Sequence, residues 1–319
     1  MHAIVIGPQG ELLWDEVPDV TPAATEVLVR VTAAGVNRAD LLQAAGLYPP
    51  PPGASNTLGL EVSGTVAELG SEVSGWSPGD PVCALLAGGG YAEYVTVPAG
   101  QLAPIPDGVP LVDAAGLPEV AATVWSNLVM TAGLRAGQLV LLHGGASGVG
   151  SHAIQVAKAL DAVVAVTAGS PEKLATCAEL GADITINYRE DDFVAVLAER
   201  GGADLILDIM GAAYLDRNID ALAADGQLIV IGMQGGVKGE LNLGKLITKR
   251  ARVIGTSLRG RSADAKAAVT ASVIEHVWPM VADGRVRTVI GERLPITEAG
   301  TAHAQLASGA VTGKIVLTV

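Results

Sequence analysis

The chain has 319 residues, of which 50% are hydrophobic and 17% charged, so it can bury a sizeable core and is not a disordered or fibrous protein. Its formal net charge of −13 repels a polyphosphate backbone, and no lysine–arginine cluster offsets that charge, so nucleic acid is not an expected partner. Aromatic residues make up only 3%, against 40 glycines, which favours small aliphatic cores and alternating β and α units.

The start of the chain, MHAIVIGPQGELLWDE, lacks the basic segment and long apolar core of an export signal. The longest uncharged stretch, residues 136–157, contains two histidines and five glycines, so no membrane span is expected. Cys83 and Cys177 are too few and too far apart for a metal motif, and a chain of this size needs no disulfide. We therefore expect a cytoplasmic protein without membrane association.

Short strands and turns are predicted up to about residue 110, where the segments VLVRVTAAGV, LGLEVSGTVAELG and YAEYVTVP are separated by glycine and proline. This pattern is typical of a mostly antiparallel β domain. From Leu139 onward, apolar runs of strand length such as LVLLHG, AVVAVT and QLIVIG alternate with helical segments. Continuous apolar runs indicate strands covered on both faces, which predicts a parallel, doubly wound sheet.

A helix-like stretch, SADAKAAVTASVIEHVWPMVADG, follows this region and precedes the strand-like segments VRTVIGERLPI and GKIVLTV. Because the chain returns to strands at its end, we expect the last segment to rejoin the first domain.

The most specific local signal is LVLLHGGASGVGSHAIQVAKAL, which has the strand, glycine-rich turn and helix of a Rossmann unit in the required order. Gly145, Gly148 and Gly150 are predicted to occupy the turn. Without Cβ atoms the backbone turns tightly and approaches a pyrophosphate, whose charge is stabilised by the free amides at the helix N-terminus. The alternative is a glycine-rich connection that binds nothing.

The end of the second strand of this unit favours NADPH over NADH. Sites that prefer NAD place a carboxylate there to accept the ribose hydroxyls, whereas this strand ends in Ala168, Gly169 and Ser170. Ser170 and Lys173 are predicted to donate to a 2′-phosphate. Alternatively, Ser170 simply begins a helix as its N-cap, and both interpretations can hold together, although Glu172 opposes a phosphate.

Together with these residues, several further segments resemble the quinone oxidoreductase branch of the zinc-independent medium-chain dehydrogenase/reductase superfamily, the zeta-crystallin relatives. Within that branch, the sequence resembles the p53-inducible quinone oxidoreductases. The resemblance extends over the full length and includes VLVRVTAAGVNRADL, GLYPPPPGAS, LPEV, HGGASGVG, VTAGSPEKL, ILDIMG and GKIVL.

The resemblance implies an α/β fold with a mostly β, GroES-like substrate domain and a doubly wound Rossmann domain. Residues 1–118 and 258–319 are expected to form the substrate domain, and residues 119–257 the dinucleotide-binding domain. It also implies a cleft at the junction of the two domains and a homodimer formed through the Rossmann sheet.

Zinc ligands of related alcohol dehydrogenases are replaced in this sequence. Asn37 stands where those enzymes have a catalytic cysteine, and Leu60 stands where they have a histidine. Cys83 has no nearby cysteines with which to form a structural zinc loop. We expect no metal, so the acceptor must be electrophilic by itself, as quinones and activated alkenes are.

Two residues are assigned catalytic positions by the resemblance. Asn37 is expected to orient the nicotinamide ribose or amide, and Tyr48 to line the cleft and hydrogen-bond an acceptor oxygen. The alternatives are that Asn37 caps the helix RADLLQAAG and that Tyr48 packs on the neighbouring prolines.

The resemblance also assigns a set of residues to the cofactor, with Ser147, Gly148 and Val149 at the pyrophosphate and Gly232, Met233 and Leu258 near the nicotinamide. Tyr188 is placed at the adenosine end, although it is also explained as an ordinary aromatic residue at a sheet edge. The full set is Asn37, Gly145, Ser147, Gly148, Val149, Gly150, Gly169, Ser170, Lys173, Tyr188, Gly232, Met233, Leu258 and Lys314.

Other polar residues receive no chemical role. His143, His152, His276 and His303 lack metal-ligand spacing or a serine nucleophile in a motif, and Asp208 ends a predicted strand, where structural hydrogen bonding is the common use. For Glu61, a structural and a functional role remain equally open.

The function predicted from the sequence is NADPH-dependent reduction of a small quinone by direct hydride transfer, with protons supplied by solvent. One alternative is reduction of an α,β-unsaturated carbonyl compound, for which the same zinc-free site serves. The other is a non-catalytic NADPH-binding protein.

Overall fold

The computed structural model describes residues 1–319, which form fifteen strands and nine α-helices. The strands are β1 His2–Ile6, β2 Leu12–Glu16, β3 Glu26–Val36, β4 Glu61–Leu69, β5 Pro81–Leu85, β6 Tyr94–Pro98, β7 Leu102–Pro104, β8 Leu139–His143, β9 Val163–Ala168, β10 Ile184–Asn187, β11 Ala203–Asp208, β12 Leu222–Val230, β13 Arg252–Gly255, β14 Ile290–Pro295 and β15 Lys314–Thr318. The helices are α1 Arg38–Ala44, α2 Pro118–Trp125, α3 Gly148–Ala159, α4 Pro171–Glu179, α5 Phe193–Ala198, α6 Leu215–Ala221, α7 Leu243–Lys249, α8 Ala263–Ala282 and α9 Ala299–Ser308.

The chain divides into two compact units. The first unit comprises Met1–Ala122, Leu258–Gly284 and Thr288–Val319, and the second comprises Thr123–Ser257 and Arg285–Arg287. The sequence predicts boundaries at 118/119 and 257/258, so the first differs from the structural division by four residues, and the short segment Arg285–Arg287 is not predicted.

The first unit contains a two-stranded antiparallel sheet, β1 and β2, and a larger sheet in the order β14-β15-β3-β4-β5-β7, with β6 also paired to β3. Its pairs are antiparallel except for β14 and β15, which run parallel. In the long strand β3, Val27, Val29 and Val31 are buried, whereas Arg30 between them is exposed. This alternation places one face of the strand in the core and is what the valine-rich sequence predicts.

The second unit is a six-stranded parallel sheet in the order β10-β9-β8-β11-β12-β13, as in a Rossmann fold. All five residues of β8 are buried, because helices cover both faces of the sheet at this central strand. The core of this unit includes Leu141, Ile206 and Leu228 from three strands and Phe193 from helix α5. The predicted apolar runs therefore correspond to strands of a parallel sheet.

Helix α2 is followed by a π-helical turn, Ser126–Thr131, which no sequence pattern indicates. Its wider backbone is stabilised by side-chain hydrogen bonds, from Asn127 Nδ2 to the Thr123 carbonyl at 2.8 Å and from Thr131 Oγ1 to the Ser126 carbonyl at 2.7 Å. None of the helices has the length and apolar character that a membrane crossing requires.

Candidate cofactor and substrate sites

The glycine-rich segment forms a tight turn between β8 and α3. Gly144 adopts a left-handed φ of +71°, and the Ser147 N–H donates to the Gly144 carbonyl at 2.9 Å to close the turn. Helix α3 begins at Gly148, with the Ser147 hydroxyl accepting the Gly150 N–H at 3.0 Å as an N-cap. The predicted placement of Gly148 and Gly150 in the turn is therefore wrong, since both belong to the first turn of the helix.

Glycine is required here by close backbone contacts. A Cβ on Gly145 would lie 2.7 Å from Cβ of Val166, and a Cβ on Gly150 would lie 2.7 Å from Cα of Gly145. The helix therefore begins directly against the turn. The amides of Gly148 and Val149 lie in the first helical turn, where backbone N–H groups have no acceptor within the helix. This arrangement fits a pyrophosphate, which needs close backbone approach and amide donors.

A buried polar network holds the strand ends beneath this turn. His143 at the end of β8 contacts Thr167 Oγ1 through Nδ1 at 3.0 Å and Asn218 Oδ1 through Nε2 at 2.8 Å. Burial lowers the pKa of His143 to about 4, so the ring is neutral at physiological pH. These hydrogen bonds give His143 a structural role inside the sheet, whereas the sequence favoured a surface or helix position for it.

The end of β9 contains no carboxylate. Ser170 is the N-cap of α4, and its hydroxyl accepts the Lys173 N–H at 3.4 Å, so the helix-start interpretation is correct for its hydroxyl. A Cβ on Gly169 would meet the Tyr188 hydroxyl at 2.5 Å, so Tyr188 lies across this glycine, with 44% of its surface exposed. The guanidinium of Arg189, which no sequence motif indicates, lies 6.0 Å from the Tyr188 ring centre. The structure thus brings Gly169, Ser170, Lys173 and Tyr188 together.

The loop after β12 packs on the loop after β11. A Cβ on Gly232 would lie 2.8 Å from the carbonyl oxygen of Ile209, and the neighbouring Met233 is 59% exposed. Asp208, at the end of β11, accepts the Met210 and Gly211 N–H groups at 2.8 Å each, which is the expected structural use of this carboxylate. The carboxyl ends of neighbouring parallel strands, where dinucleotides bind in such sheets, therefore carry the residues predicted for the cofactor within this unit.

In the first unit, Asn37 belongs to a buried charged group. Lys314 Nζ lies 2.6 Å from Asn37 Oδ1, 2.5 Å from Glu61 Oε1 and 3.1 Å from the Val36 carbonyl oxygen. Asn37 Nδ2 in turn donates to Glu61 Oε1 at 3.0 Å. Lys314 is 5% exposed and Glu61 is completely buried, so this ion pair is almost entirely shielded from bulk solvent. The amide of Asn37 is held at both ends, with its orientation fixed.

Two further contacts complete this group. The second carboxylate oxygen of Glu61 accepts the Glu119 N–H at 2.9 Å. Gly35 on β3 makes room for the same carboxylate, because a Cβ there would collide with Glu61 Oε1 and lie 2.6 Å from the Ala115 carbonyl oxygen. Glu61 therefore has a structural role, and the three ammonium protons of Lys314 all have acceptors within the first unit. The predicted contact of Lys314 with the cofactor stays a prediction.

Asp40 extends the polar group toward Tyr91 and His303, for which the sequence predicts no chemical role. Its carboxylate accepts the Asn37 N–H at 2.8 Å, as in a capping box at the start of α1, and the Tyr91 hydroxyl at 3.2 Å. The Tyr91 hydroxyl also lies 3.3 Å from His303 Nε2. Burial raises the pKa of Asp40 to about 7, and burial lowers that of His303 to about 4.

Tyr48 is held by Arg259 rather than by the neighbouring prolines alone. The Arg259 guanidinium lies 5.2 Å from the Tyr48 ring centre, and its Nη1 donates to the Tyr48 carbonyl at 3.3 Å. Arg259 also donates to the Ala87 carbonyl at 2.8 Å and to Gln43 Oε1 at 2.6 Å. Leu258, the predicted cofactor residue beside it, is half-buried. No local motif marks Arg259, since its partners lie far away in the sequence.

No group of three or more His, Cys, Asp or Glu side chains is arranged to hold a metal ion. Cys83 is a buried free thiol, whose pKa is raised by burial, and Leu60 is buried. The charged partner of Glu61 is instead the ammonium of Lys314.

Comparisons with known proteins agree with this architecture. Residues 23–107 match the family model described as alcohol dehydrogenase GroES-like domain, and residues 148–273 match the model described as zinc-binding dehydrogenase. These matches confirm the predicted fold class, with a GroES-like and a Rossmann domain. The structure of Escherichia coli quinone oxidoreductase complexed with NADPH has a TM-score of 0.89 and 29% identity, covering 100% of this chain and 99% of that one.

The curated relatives include enzymes of similar length and one much larger protein. The chain is 30% identical over 307 residues to one component of the phenolphthiocerol/phthiocerol polyketide synthase of Mycobacterium tuberculosis, and it spans 14% of that protein's length. Quinone oxidoreductases of Mus musculus and Pseudomonas aeruginosa are 30% and 33% identical, covering 98% and 93% of this chain and 94% and 92% of their own lengths. The chain therefore belongs to the quinone oxidoreductase branch of the medium-chain dehydrogenase/reductase superfamily.

Proposed function

We propose that this chain is an NADPH-dependent quinone oxidoreductase that transfers hydride to a small quinone without zinc. The observation that carries the proposal is the shape and charge of the second unit where strands β8 and β9 end. There, a glycine turn admits a pyrophosphate, and the end of β9 presents Ser170 where an acidic residue would repel a 2′-phosphate. The quinone oxidoreductases among the relatives, and the NADPH complex of one of them, support the same activity.

NADPH, when bound, supplies the hydride from its nicotinamide ring. The chain's own residues bind and orient the cofactor and the acceptor. We assign the pyrophosphate to the amides of Gly148 and Val149, the 2′-phosphate to Ser170 and Lys173, and the acceptor oxygen to Tyr48. Asn37, whose amide is fixed by Lys314 and Glu61, is assigned to the nicotinamide side. The catalytic contribution of these groups is positioning of the reactants, and the proton comes from solvent.

Zinc independence is supported by the residues around Asn37. A catalytic zinc site needs three protein ligands drawn from Cys, His, Asp and Glu, whereas Glu61 here has an ammonium and an amide as neighbours. A bound cation beside Glu61 would be repelled by Lys314. We therefore propose acceptors whose own carbonyl groups withdraw electrons, because no Lewis acid assists them.

A second candidate function is reduction of an α,β-unsaturated thioester or ketone. The similarity to a component of a polyketide synthase favours it, because polyketide chemistry carries its intermediates as thioesters. The same cofactor site serves both reactions, and the two differ only in the acceptor.

These functions are separated by initial rates of NADPH oxidation against matched panels of ortho-quinones, para-quinones, enones and an enoyl thioester. We expect turnover on quinones that exceeds turnover on the enones and the thioester. Turnover confined to enones or thioesters would establish the second function. Tight NADPH binding without turnover on any of these acceptors would contradict both functions.

Changing Ser170 to aspartate is expected to reverse the cofactor preference. Aspartate remains a good N-cap for α4, so the helix is retained, but its charge repels a 2′-phosphate. We expect the dissociation constant for NADPH to rise about 10- to 100-fold, while that for NADH changes little. Isothermal titration with both cofactors measures this.

The matched control is Asn242→Asp, which adds the same charge at the N-cap of α7. It is expected to leave both dissociation constants unchanged. An unaltered ratio of NADPH to NADH affinity in Ser170→Asp would contradict the assignment of the 2′-phosphate to this helix start.

We also propose a homodimer formed through β13, which lies at the edge of the parallel sheet. Val253 on this strand is 36% exposed, and Leu243 and Ile247 on α7 are 61% and 75% exposed. Val237 and Leu241, which precede α7 in the chain, are also exposed apolar residues, at 72% and 38%. An unpaired edge strand next to exposed apolar side chains is typical of a surface that a second copy covers.

Ile247→Lys is therefore expected to convert the dimer to monomers, because it buries a charge at the apolar interface. Sedimentation velocity measures the change. Leu47→Lys, at a residue of the first unit that is 73% exposed, is the control and should leave the dimer intact. A monomeric native protein, or a dimer unaffected by Ile247→Lys, would rule out this interface.

A cytoplasmic location is likewise proposed, in keeping with two free, buried cysteines.

A further inference from the structure

One buried carboxylate joins the two chain segments that carry Asn37 and Glu61. Asp40 is completely buried, and its Oδ2 accepts the Asn37 N–H at 2.8 Å while its Oδ1 accepts the Gly59 N–H at 3.2 Å. Gly59 has a left-handed φ of +100° and lies two residues before Glu61, the first residue of β4. The backbone on both sides of the buried charged group described above is therefore tied to Asp40.

The hydrogen-bond donors to Asp40 include no cation. They are two backbone N–H groups and the hydroxyl of Tyr91, whereas the ammonium of Lys314 lies against other acceptors. A buried carboxylate without a paired cation is costly to ionise. Burial accordingly raises the pKa of Asp40 to about 7, although its hydrogen bonds and Lys314 oppose the rise. Both charge states of Asp40 are thus populated near neutral pH, unlike those of an exposed aspartate.

Tyr91 and His303 complete the hydrogen bonds in either charge state of Asp40. The buried Tyr91 hydroxyl lies 3.2 Å from Asp40 Oδ2 and 3.3 Å from His303 Nε2, and it has one proton for these two acceptors. When Asp40 is ionised, the hydroxyl donates to it and accepts an N–H from His303 Nε2. When Asp40 takes up a proton from solvent, its O–H donates to the Tyr91 oxygen, and the hydroxyl hydrogen turns to an unprotonated Nε2. A neutral imidazole fills both roles through its two tautomers.

Other ionisable groups face Asp40 from the elements around it. Lys314 on β15 and Arg259 before α8 attract its negative charge, and Glu61 on β4 pairs with Lys314. Burial raises the pKa of Tyr91 well above its usual value, so its hydroxyl stays protonated, and burial lowers the pKa of His303 to about 4, so its ring stays neutral. Within the chain of three hydrogen-bonded side chains, Asp40 is therefore the member that changes charge near neutral pH.

We propose that Asp40 is a positioning residue for hydride transfer, which in its ionised form fixes the backbone of Asn37 and of the segment before Glu61. The proposal rests on the proposed function, because Asn37 is assigned there to the nicotinamide side. A negative carboxylate accepts N–H groups more strongly than a neutral acid does, so protonation of Asp40 loosens both backbone ties. Asp40 acts through these ties rather than by contact with the reactants.

The first test follows kcat/KM for an ortho-quinone, at saturating NADPH, from about pH 5 to about pH 9. We expect the native rate to fall as the pH drops through about 7, because Asp40 becomes protonated. In Asp40→Asn this dependence should disappear, and the rate should stay about 10- to 100-fold below the native value at high pH, as for misplaced reactants.

Tyr91→Phe is the sharper variant, since it changes one oxygen atom and leaves Asp40 in place. The Tyr91 hydroxyl lowers the pKa of Asp40, so its removal should move the fall in rate to higher pH by about 0.5 to 1 unit. The matched control is Tyr94→Phe on β6 of the same unit, which should leave the profile unchanged. A fall in rate that Tyr91→Phe does not move, or that persists in Asp40→Asn, would overturn the proposal and would point to titration of the cofactor's phosphate.

The second test needs no turnover and so separates the positioning role from the proposed function. The amide proton resonances of Asn37 and Gly59, followed by NMR over the same pH range, should shift with one common midpoint near pH 7. This midpoint should rise in Tyr91→Phe and vanish in Asp40→Asn. Titrating amides in a protein without quinone turnover would refute the proposed function alone. Amides that do not titrate, or a midpoint that Tyr91→Phe leaves unchanged, would overturn the proposal for Asp40.

Discussion

Gly150→Ala should lose most of its affinity for NADPH, because the added Cβ meets backbone atoms that no side-chain rotation can move. It would lie 2.7 Å from both Cα and the carbonyl oxygen of Gly145 and would also collide with the Gly144 carbonyl oxygen. The first turn of α3 must then move away from the glycine turn, which displaces the Gly148 and Val149 amides that we propose bind the pyrophosphate. We expect the dissociation constant to rise roughly 100-fold, as misplacements near 1 Å produce, and stability to fall by about 1–3 kcal/mol.

Titration calorimetry and urea denaturation measure these two effects. The matched control is Gly300→Ala in helix α9, where a Cβ meets nothing within 4 Å. Alanine is the better helix former, so this variant should keep its NADPH affinity and gain up to about 1 kcal/mol of stability. Native NADPH affinity in Gly150→Ala would show that the close approach of helix and turn is not needed for the cofactor.

Lys314→Met and Glu61→Leu should each destabilise the protein strongly, because each leaves a buried charge without its partner. The ion pair lies 2.5 Å apart, with Glu61 completely buried and Lys314 5% exposed. Removing one member of such a pair typically costs about 3–5 kcal/mol, whereas replacing both by apolar side chains is often neutral. The double variant should therefore be more stable than either single variant.

Urea denaturation of all four proteins gives the coupling energy directly. Losses that simply add in the double variant would contradict the pairing. In the double variant, activity is expected to fall although stability is largely retained. Replacing both Lys314 and Glu61 removes the two side-chain partners of the Asn37 amide. The double variant should fold but reduce quinones more slowly than the native protein, which tests whether this pair positions Asn37.

The Rossmann unit was predictable from sequence because its signals are local. A buried strand such as LVLLH, a glycine turn and a helix occur consecutively, so periodicity and turn chemistry identify them together. The start of α3 was misplaced because glycine favours turns, whereas here Gly148 and Gly150 are helical. The Ser147 cap and the steric demand of the turn outweigh the low helix propensity of glycine.

The polar groups of the first unit were much less predictable, since their partners are distant in sequence. Tyr91 contacts Asp40 across 51 positions and His303 across 212, and Lys314 meets Asn37 across 277. No local sequence pattern predicts contacts between residues so far apart in the chain. Asp40 alone had a local signal, because an acidic residue three positions after Asn37 is the pattern of a helix cap. Site roles for Asn37 and Tyr48 were predicted through family resemblance, and the structure shows the contacts that hold each residue.

The most direct test of the central claim is the rate of NADPH oxidation with an ortho-quinone by protein that has been treated with a strong chelator and shown to be free of zinc. We expect the zinc-free protein to retain the full rate, with no increase when zinc is added back, because Lys314 rather than a metal ion accompanies Glu61. Loss of the activity on chelation and its recovery with zinc would contradict the account.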